Sequence, residues 1–432
     1  MSEADEKRRV FVTGMGLLSP IGRTADDVWQ RWAGGRCPAG PVKRFDATNL
    51  PTRIATEIPD FSPRKELKSG RLARLLRPGE DFGYLAAAAA ISDAGLDRES
   101  INGPRSGIAI GCRKEGPKVE NFFSAIKASL TEAGEMDHQK FIDDGIKLIP
   151  PQTIVEGLPN ACMYYIAHEY VLQGINYNFL ALGSGGAMAL GESLRAIRRG
   201  EADLMLAGGY DSWVNWVYLA QLSNRRLLSR NNDHPQKAHR PFDSNRDGSV
   251  AGEGACLMIL EDADSAVRRG ASVYGELQGY GSATGVPHED LAACTRVLTG
   301  CIRQALADAG CGPEEIDFVH LSGDATPGGD AVETRATMEA LGRHGTQIPA
   351  TTLKSATGHL GNASGSMELA MMFEAMKRQT ILPIVNLEDP DPVLPLSFVT
   401  SPMEGLELRR GLLLNRGWPS HYTALVVGRA GG

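Results

Sequence analysis

The run Asn178 to Ser193, NFLALGSGGAMALGES, has a form that can carry a nucleophile. An apolar strand meets a Gly/Ser turn, and the turn opens an amphipathic helix. In α/β enzymes such a strand-to-helix turn often holds a thiol or hydroxyl, because a helix N-terminus favours negative charge. Here the residue at the turn is Leu182, between Ala181 and Gly183. Leucine has neither an acidic proton nor a lone pair, so no electrostatic tuning makes it a nucleophile. Ser184 lies two residues on, and that shift re-aims a side chain by more than half a helical turn. A second glycine turn, RRVFVTGMGLLSPIG at 8–22, superficially suggests dinucleotide binding. It lacks the third glycine at the required spacing and puts Pro20 where the helix should run, so the nucleotide reading fails.

The elements that position this turn read as a large α/β protein. The chain has 432 residues, too many for one small core. Apolar residues make up 42% and charged residues 22%, an ordinary globular balance. A net charge of −7 argues against a nucleic-acid partner, and the basic runs RRLLSR and RRVF are interrupted. No run of about 18 apolar residues implies a membrane span, and MSEADEKRR has no apolar stretch of the signal-peptide kind. Seven cysteines at irregular spacings, without a CxxC pair, imply a reducing cytoplasm and no structural zinc. SGIAIG (106–111), ADLMLAGGYD (202–211), IDFVHLSG (316–323) and ALVVGRA (424–430) read as strands. YLAAAAAISDAGL (84–96), GESLRAIRRG (191–200) and TRVLTGCIRQALADAG (295–310) read as helices. Their alternation predicts a mostly parallel sheet.

One internal echo stands out. GAMALGESLRAIRRG (186–200) lies on GSMELAMMFEAMKRQ (365–379) without a gap. Gly186 meets Gly365, Met188 meets Met367, Leu190 meets Leu369, Ala196 meets Ala375 and Arg199 meets Arg378. Chance similarity of two amphipathic helices is one explanation. Duplication, with the two helices paired at the centre, is the other.

Four stretches carry a family resemblance: RRVFVTGMGLLSPIG, RRGEADLMLAGG (198–209), LLSRNNDHPQKAHRPFDSNRDGSVAGEGACLMILED (227–262) and TLKSATGHLGNASGS (352–366). Through them, over roughly residues 8–430, the chain resembles a β-ketoacyl-acyl carrier protein synthase of the elongating fatty-acid-synthase-II type. The resemblance implies the thiolase-like fold, a five-layer αβαβα sandwich of two similar halves. The expected division is 1–265, with the nucleophile turn and a dimer-interface insertion, and 266–432, with a Lys/His site and a gating loop.

The same resemblance implies a condensing site and shows where this chain departs from it. The family's T-A-C-x-S/T-G motif aligns with Leu180 to Gly185 and puts Leu182 at the cysteine. A motif like H-G-T-x-T-P-x-x-D aligns with Ser322 to Asp330 and puts Ser322 at the first histidine. His320, two strand rises away (roughly 6–7 Å), is then an ordinary strand histidine. Lys354 and His359 match K-S-x-T-G-H, and Asp330, Glu333 and Glu368 match the acidic neighbours of that lysine. The gate G-F-G-G-x-N becomes Gly417 to Tyr422, with Trp418 for the phenylalanine and Pro419, which fixes φ, for a hinge glycine.

Loss of nucleophile, first histidine and gate together implies the role of a chain length factor (ketosynthase β). In type II polyketide synthases this cysteine-less protein forms a heterodimer with an active ketosynthase and shapes the acyl tunnel. Leu182, where aromatic-type factors commonly carry glutamine, is closer to factors of highly reducing or aryl-polyene systems. Val119, Phe122, Phe123 and Ile149 are the candidates for the tunnel end wall. Arg113, Lys114 and Glu115 are read as a polar wall with an interface salt bridge. No cofactor is bound. The phosphopantetheine arm of an acyl carrier protein is the group the complex works with, and neither nucleic acid nor membrane is a partner. Two alternatives remain open: a stand-alone malonyl-carrier protein decarboxylase or acyltransferase, and a carrier-protein scaffold.

Overall fold

The computed structural model describes residues 7–113, 119–154, 158–285 and 287–430. Ten strands carry the architecture. The first five are β1 (Val10–Leu18), β2 (Ser106–Cys112), β3 (Asn176–Leu180), β4 (Leu204–Ser212) and β5 (Ala251–Asp262). The second five are β6 (Gly275–Thr284), β7 (Phe318–His320), β8 (Pro349–Thr351), β9 (Arg410–Gly417) and β10 (His421–Arg429). In space the first set runs β3-β2-β4-β5-β1 and the second β8-β7-β9-β10-β6. Both orders read third-second-fourth-fifth-first. Both sets have two parallel pairings followed by two antiparallel ones. A short antiparallel contact of Val10–Val12 with Gly275–Leu277 joins them.

Side-chain alternation along the strands builds the layers. Ile108 and Ile110 pack outward on α2 (Glu80–Asp93) and α4 (Ala161–Tyr170), whereas Ala109 faces the centre. Leu412 and Leu414 pack outward on α6 (Leu291–Ala309) and α7 (Pro327–Gly345), whereas Leu413 faces the centre. Between the sheets lie α5 (Gly185–Arg198) and α8 (Ser364–Arg378). The remaining helices used below are α1 (Ala25–Ala33), at the N-terminal end, and α3 (Glu120–Ala128), in the crossover between β2 and β3. Three helical layers enclosing two sheet layers form the thiolase-like sandwich.

The two helices of the sequence echo, α5 and α8, each follow the third strand of their set. They meet closely at small residues: a side chain on Gly365 would stand 2.9 Å from Cβ of Ala187. At Gly111 on β2 a methyl group would stand 1.9 Å from the backbone carbon of Gly185. Backbone cannot swing aside as a flexible side chain can. Gly111→Ala is therefore expected to cost about 2 kcal/mol or more in urea unfolding, and an unchanged midpoint would refute this packing.

Among the described residues no helix is long and apolar enough to cross a membrane. No group of three His, Cys, Asp or Glu residues there could hold a metal. None of the seven cysteines forms a disulfide, and six are buried.

Candidate functional site

The site gathers where strands end. Leu182 follows β3, Ser322 follows β7, Lys354 follows β8, and Trp418 lies between β9 and β10. Leu182 is half-buried and packs against a cluster that includes Trp213, Leu219, Ala251 and Trp418. Gly183 has φ +120, and a methyl there would meet Cε1 of His359 and the Arg416 carbonyl, each at 3.1 Å. The turn thus needs glycine both for its backbone and for the closeness of the histidine.

Two amides at the start of α5 are engaged by a side chain. Asn362 Oδ1 accepts from the Gly183 N–H (3.2 Å) and the Gly185 N–H (2.9 Å). Its Nδ2 donates to the Ala181 carbonyl and to Asp211 Oδ2, each at 2.7 Å. Asp211 Oδ2 also accepts from the Trp213 indole at 3.1 Å. A side-chain amide of the same protein therefore occupies donors that could otherwise face an anion. Ser184 is fully buried, with Oγ 3.7 Å from Met188 Sδ, and it lies against Gly417. No described hydrogen bond links it to His359, so it has no base.

His359 is buried in a three-ring cluster with two indoles. Trp213 stacks on it at 4.2 Å and 21°, Trp418 lies tilted at 5.2 Å, and the two indoles are 5.3 Å apart. Nδ1 accepts from the Gly361 N–H at 3.1 Å, which leaves the proton of the neutral ring on Nε2. Burial, then Lys354, His239 and Arg416, hold its pKa well below the ordinary value, so the ring is neutral at pH 7.

Lys354 is also buried. Its Nζ donates to Glu368 Oε1 (2.6 Å), the Ser322 carbonyl (2.7 Å) and Ser322 Oγ (3.3 Å). Serine at 322 thus serves the lysine and supplies no imidazole. Glu333 clamps the following turn, accepting from the Ser322 N–H and, at 2.9 Å, from the Gly323 N–H. Burial pushes Glu333 and Glu368 up to about 7, against the opposing pull of Lys354 and their hydrogen bonds. The acidic set divides in space. Glu368 touches the lysine, whereas Asp330 accepts from the Phe242 N–H at 2.8 Å and pairs with Arg246 at 3.2 Å. Asp330 braces α7 rather than the lysine. His320 turns to Trp32 on α1, at 6.0 Å between ring centroids, and its ring nitrogens have no hydrogen-bond partner among the described residues.

The gate is held on every side. The Trp418 N–H donates to the Leu182 carbonyl at 2.8 Å, and its indole Nε1 donates to Asp324 Oδ2 at 3.1 Å. Arg416 Nη1 donates to the same oxygen at 3.0 Å. Outside the indole, Trp418 and Pro419 line a cavity of about 200 Å³ with Arg225, Leu227 and His288. Trp213, Asn362, Asp324 and Arg416 were not among the sequence-derived site residues, yet they fill this centre.

The crossover between β2 and β3 carries the tunnel candidates on an exposed face. Val119 and Phe123, at the start of and within α3, are 37% and 52% exposed, and Phe122 and Ile149 are half-buried. The expected polar wall is corrected at its first residue. Arg113 points inward, with Nε 3.3 Å from Asp211 Oδ1 and its guanidinium 3.6 Å over the Tyr218 ring, so this ion pair lies within the chain. Lys114 and Glu115 fall outside the described residues.

Comparisons with known proteins agree along the whole chain. The β-ketoacyl synthase N-terminal domain matches residues 7–266, and the β-ketoacyl synthase C-terminal domain matches residues 274–388. The 3-oxoacyl-[acyl-carrier-protein] synthase 2 of Coxiella burnetii is 34% identical over 413 residues, 94% of each chain. Its Synechocystis namesake is 34% identical over 422 residues, 98% of each. Among solved structures, the ishigamide ketosynthase/chain length factor superposes with a TM-score of 0.84 at 26% identity, over 98% of this chain and 100% of that one. A type II polyketide synthase acyl-carrier protein in complex with its ketosynthase gives 0.85 at 25% identity, with the same coverage. With both domains matched in order and relatives aligned end to end, the chain belongs to the β-ketoacyl synthase family.

Proposed function

We propose that this chain is the non-catalytic partner of an active ketosynthase, a chain length factor. Such a subunit helps shape the tunnel into which a carrier-protein-bound acyl chain grows. The observation that carries the reading is Leu182 in a closed turn whose amides bond to Asn362 and whose carbonyl bonds to Trp418. Ser322 bonded to Lys354 supports it from the other side of the site. A pairing surface is at hand. Strand β3 is the end of the sheet, with Leu180 49% exposed, and Phe123, Ile126, Ile142 and Tyr164 expose apolar side chains on the same crossover region. Exposed apolar groups in this number are suited to a partner protein. The reading divides the chain at 265/266, with the silent turn in the first unit and the Lys354/His359 cluster in the second. It places the protein in the cytoplasm, in keeping with seven free thiols. The phosphopantetheine arm belongs to the acyl carrier protein and is presented to the active partner.

Co-expression with a cysteine-bearing ketosynthase tests the pairing. A stable 1:1 complex by size-exclusion chromatography with light scattering is expected, and its tunnel wall is to include Val119, Phe122, Phe123 and Ile149. A chain that stays monomeric or pairs only with itself would refute the assignment.

A further inference from the structure

Leu182 accounts for a missing nucleophile, but it does not account for Asp324, Arg416 and Trp418. The three are buried together, and their contacts converge on one carboxylate oxygen. Asp324 Oδ1 accepts from the Thr326 N–H (3.0 Å) and hydroxyl (2.6 Å), which fixes the carboxylate plane. Its Oδ2 is then presented to Arg416 and to the Trp418 indole at once. Burial pushes this carboxyl up, but Arg416, Thr326 and Trp418 outweigh it and keep Asp324 ionised. An ionised acceptor makes the stronger hydrogen bond. Trp418 has one face toward the outer cavity beside Arg225, Leu227 and His288 and another toward His359 and Trp213. Its backbone N–H is bonded to the Leu182 carbonyl, so the indole stands beside that turn.

We infer that Asp324 is a latch that holds Trp418 shut, so that the inner site is closed to an acyl-thioester arm whatever residue stands at 182. To open, the indole must leave its carboxylate, its amide must leave the Leu182 carbonyl, and the stack on Trp213 must part. The released carboxylate would then keep only Arg416 and Thr326 as donors. The purpose of the latch rests on the silent-partner reading, since a closed second site sends every carrier arm to the active subunit. The latch itself rests only on these contacts.

Hydrogen–deuterium exchange on the full chain tests it, read by mass spectrometry on peptides over 415–422. The Trp418 amide is expected to exchange as slowly as the core strand 204–212. Trp418→Phe removes the indole N–H and leaves the Arg416–Asp324 pair in place, so it is the deciding variant. It should speed exchange of the gate peptide at least tenfold and leave 204–212 unchanged, and Asp324→Thr should do so by a larger factor. A wild-type gate that exchanges like an exposed loop, or a Trp418→Phe gate with wild-type exchange, would overturn the latch. Either result would leave heterodimer formation untouched, and a chain that fails to pair would leave the exchange result untouched.

Discussion

Lys354→Met is expected to lower the unfolding free energy by about 3–5 kcal/mol, as for a buried ion pair stripped of one partner. The buried ammonium satisfies three acceptors: Glu368 Oε1, the Ser322 carbonyl and Ser322 Oγ. Removing it leaves a carboxylate 1% exposed without its ammonium, while the Ser322 carbonyl retains the Thr352 hydroxyl at 3.2 Å. The cost is that of an orphaned partner rather than of lost attraction. The double variant Lys354→Met/Glu368→Leu removes both charges and should recover most of the loss, because apolar replacement of a whole buried pair is often neutral. Urea unfolding of the three proteins measures this. A single variant within 1 kcal/mol of the parent would mean that the lysine is not the brace described. The outcome also bears on the lysine's role, since it would show that Lys354 serves the fold apart from any chemistry.

The second large effect is expected at the gate. Arg416→Met should cost about 3–5 kcal/mol at neutral pH, because Asp324 stays buried with only neutral donors. The pH dependence gives the sign. In the parent, Asp324 titrates below its ordinary 3.8, so its contribution is complete above about 3.8 and is lost as pH falls through the folded value. In Arg416→Met the largest remaining influence is burial, which raises the carboxyl. The folded variant then holds its proton more tightly than the unfolded chain, and stability falls as pH climbs past 3.8. The gap between parent and variant should therefore widen from pH 3 to pH 6. Urea midpoints across that range decide it, and a gap that is constant or narrows would contradict the ion pair.

How far the sequence carried can be judged residue by residue. The echo of 186–200 with 365–379 anticipated the central pair α5 and α8, because helices pressed together at backbone distance require small residues at fixed spacing. Leu182, Ser322, Lys354 and His359 each lie inside a contiguous motif, which is what makes such positions readable. Asp330 shares such a motif, but a helix turn aims it at Arg246 on a distant loop. Trp213, Asn362 and Arg416 have partners remote in sequence, and proximity across the sandwich leaves no spacing signal. A physical cue did exist. Arg416 follows Leu412–Leu414 and Asn415 in the buried strand β9, and a charge entering a buried strand calls for a buried counter-charge, here Asp324. Arg113, after the buried strand β2, gave the same cue and was assigned outward instead of to Asp211.

The proposed role requires that the chain be chemically silent by itself. Incubating the purified chain with malonyl-acyl carrier protein and following release of carbon dioxide tests it most directly. No turnover above the carrier protein alone is expected, since Leu182 cannot be acylated, Ser322 supplies no imidazole, and Trp418 covers His359. Sustained decarboxylation that disappears in His359→Ala would contradict the account and make the chain an enzyme in its own right.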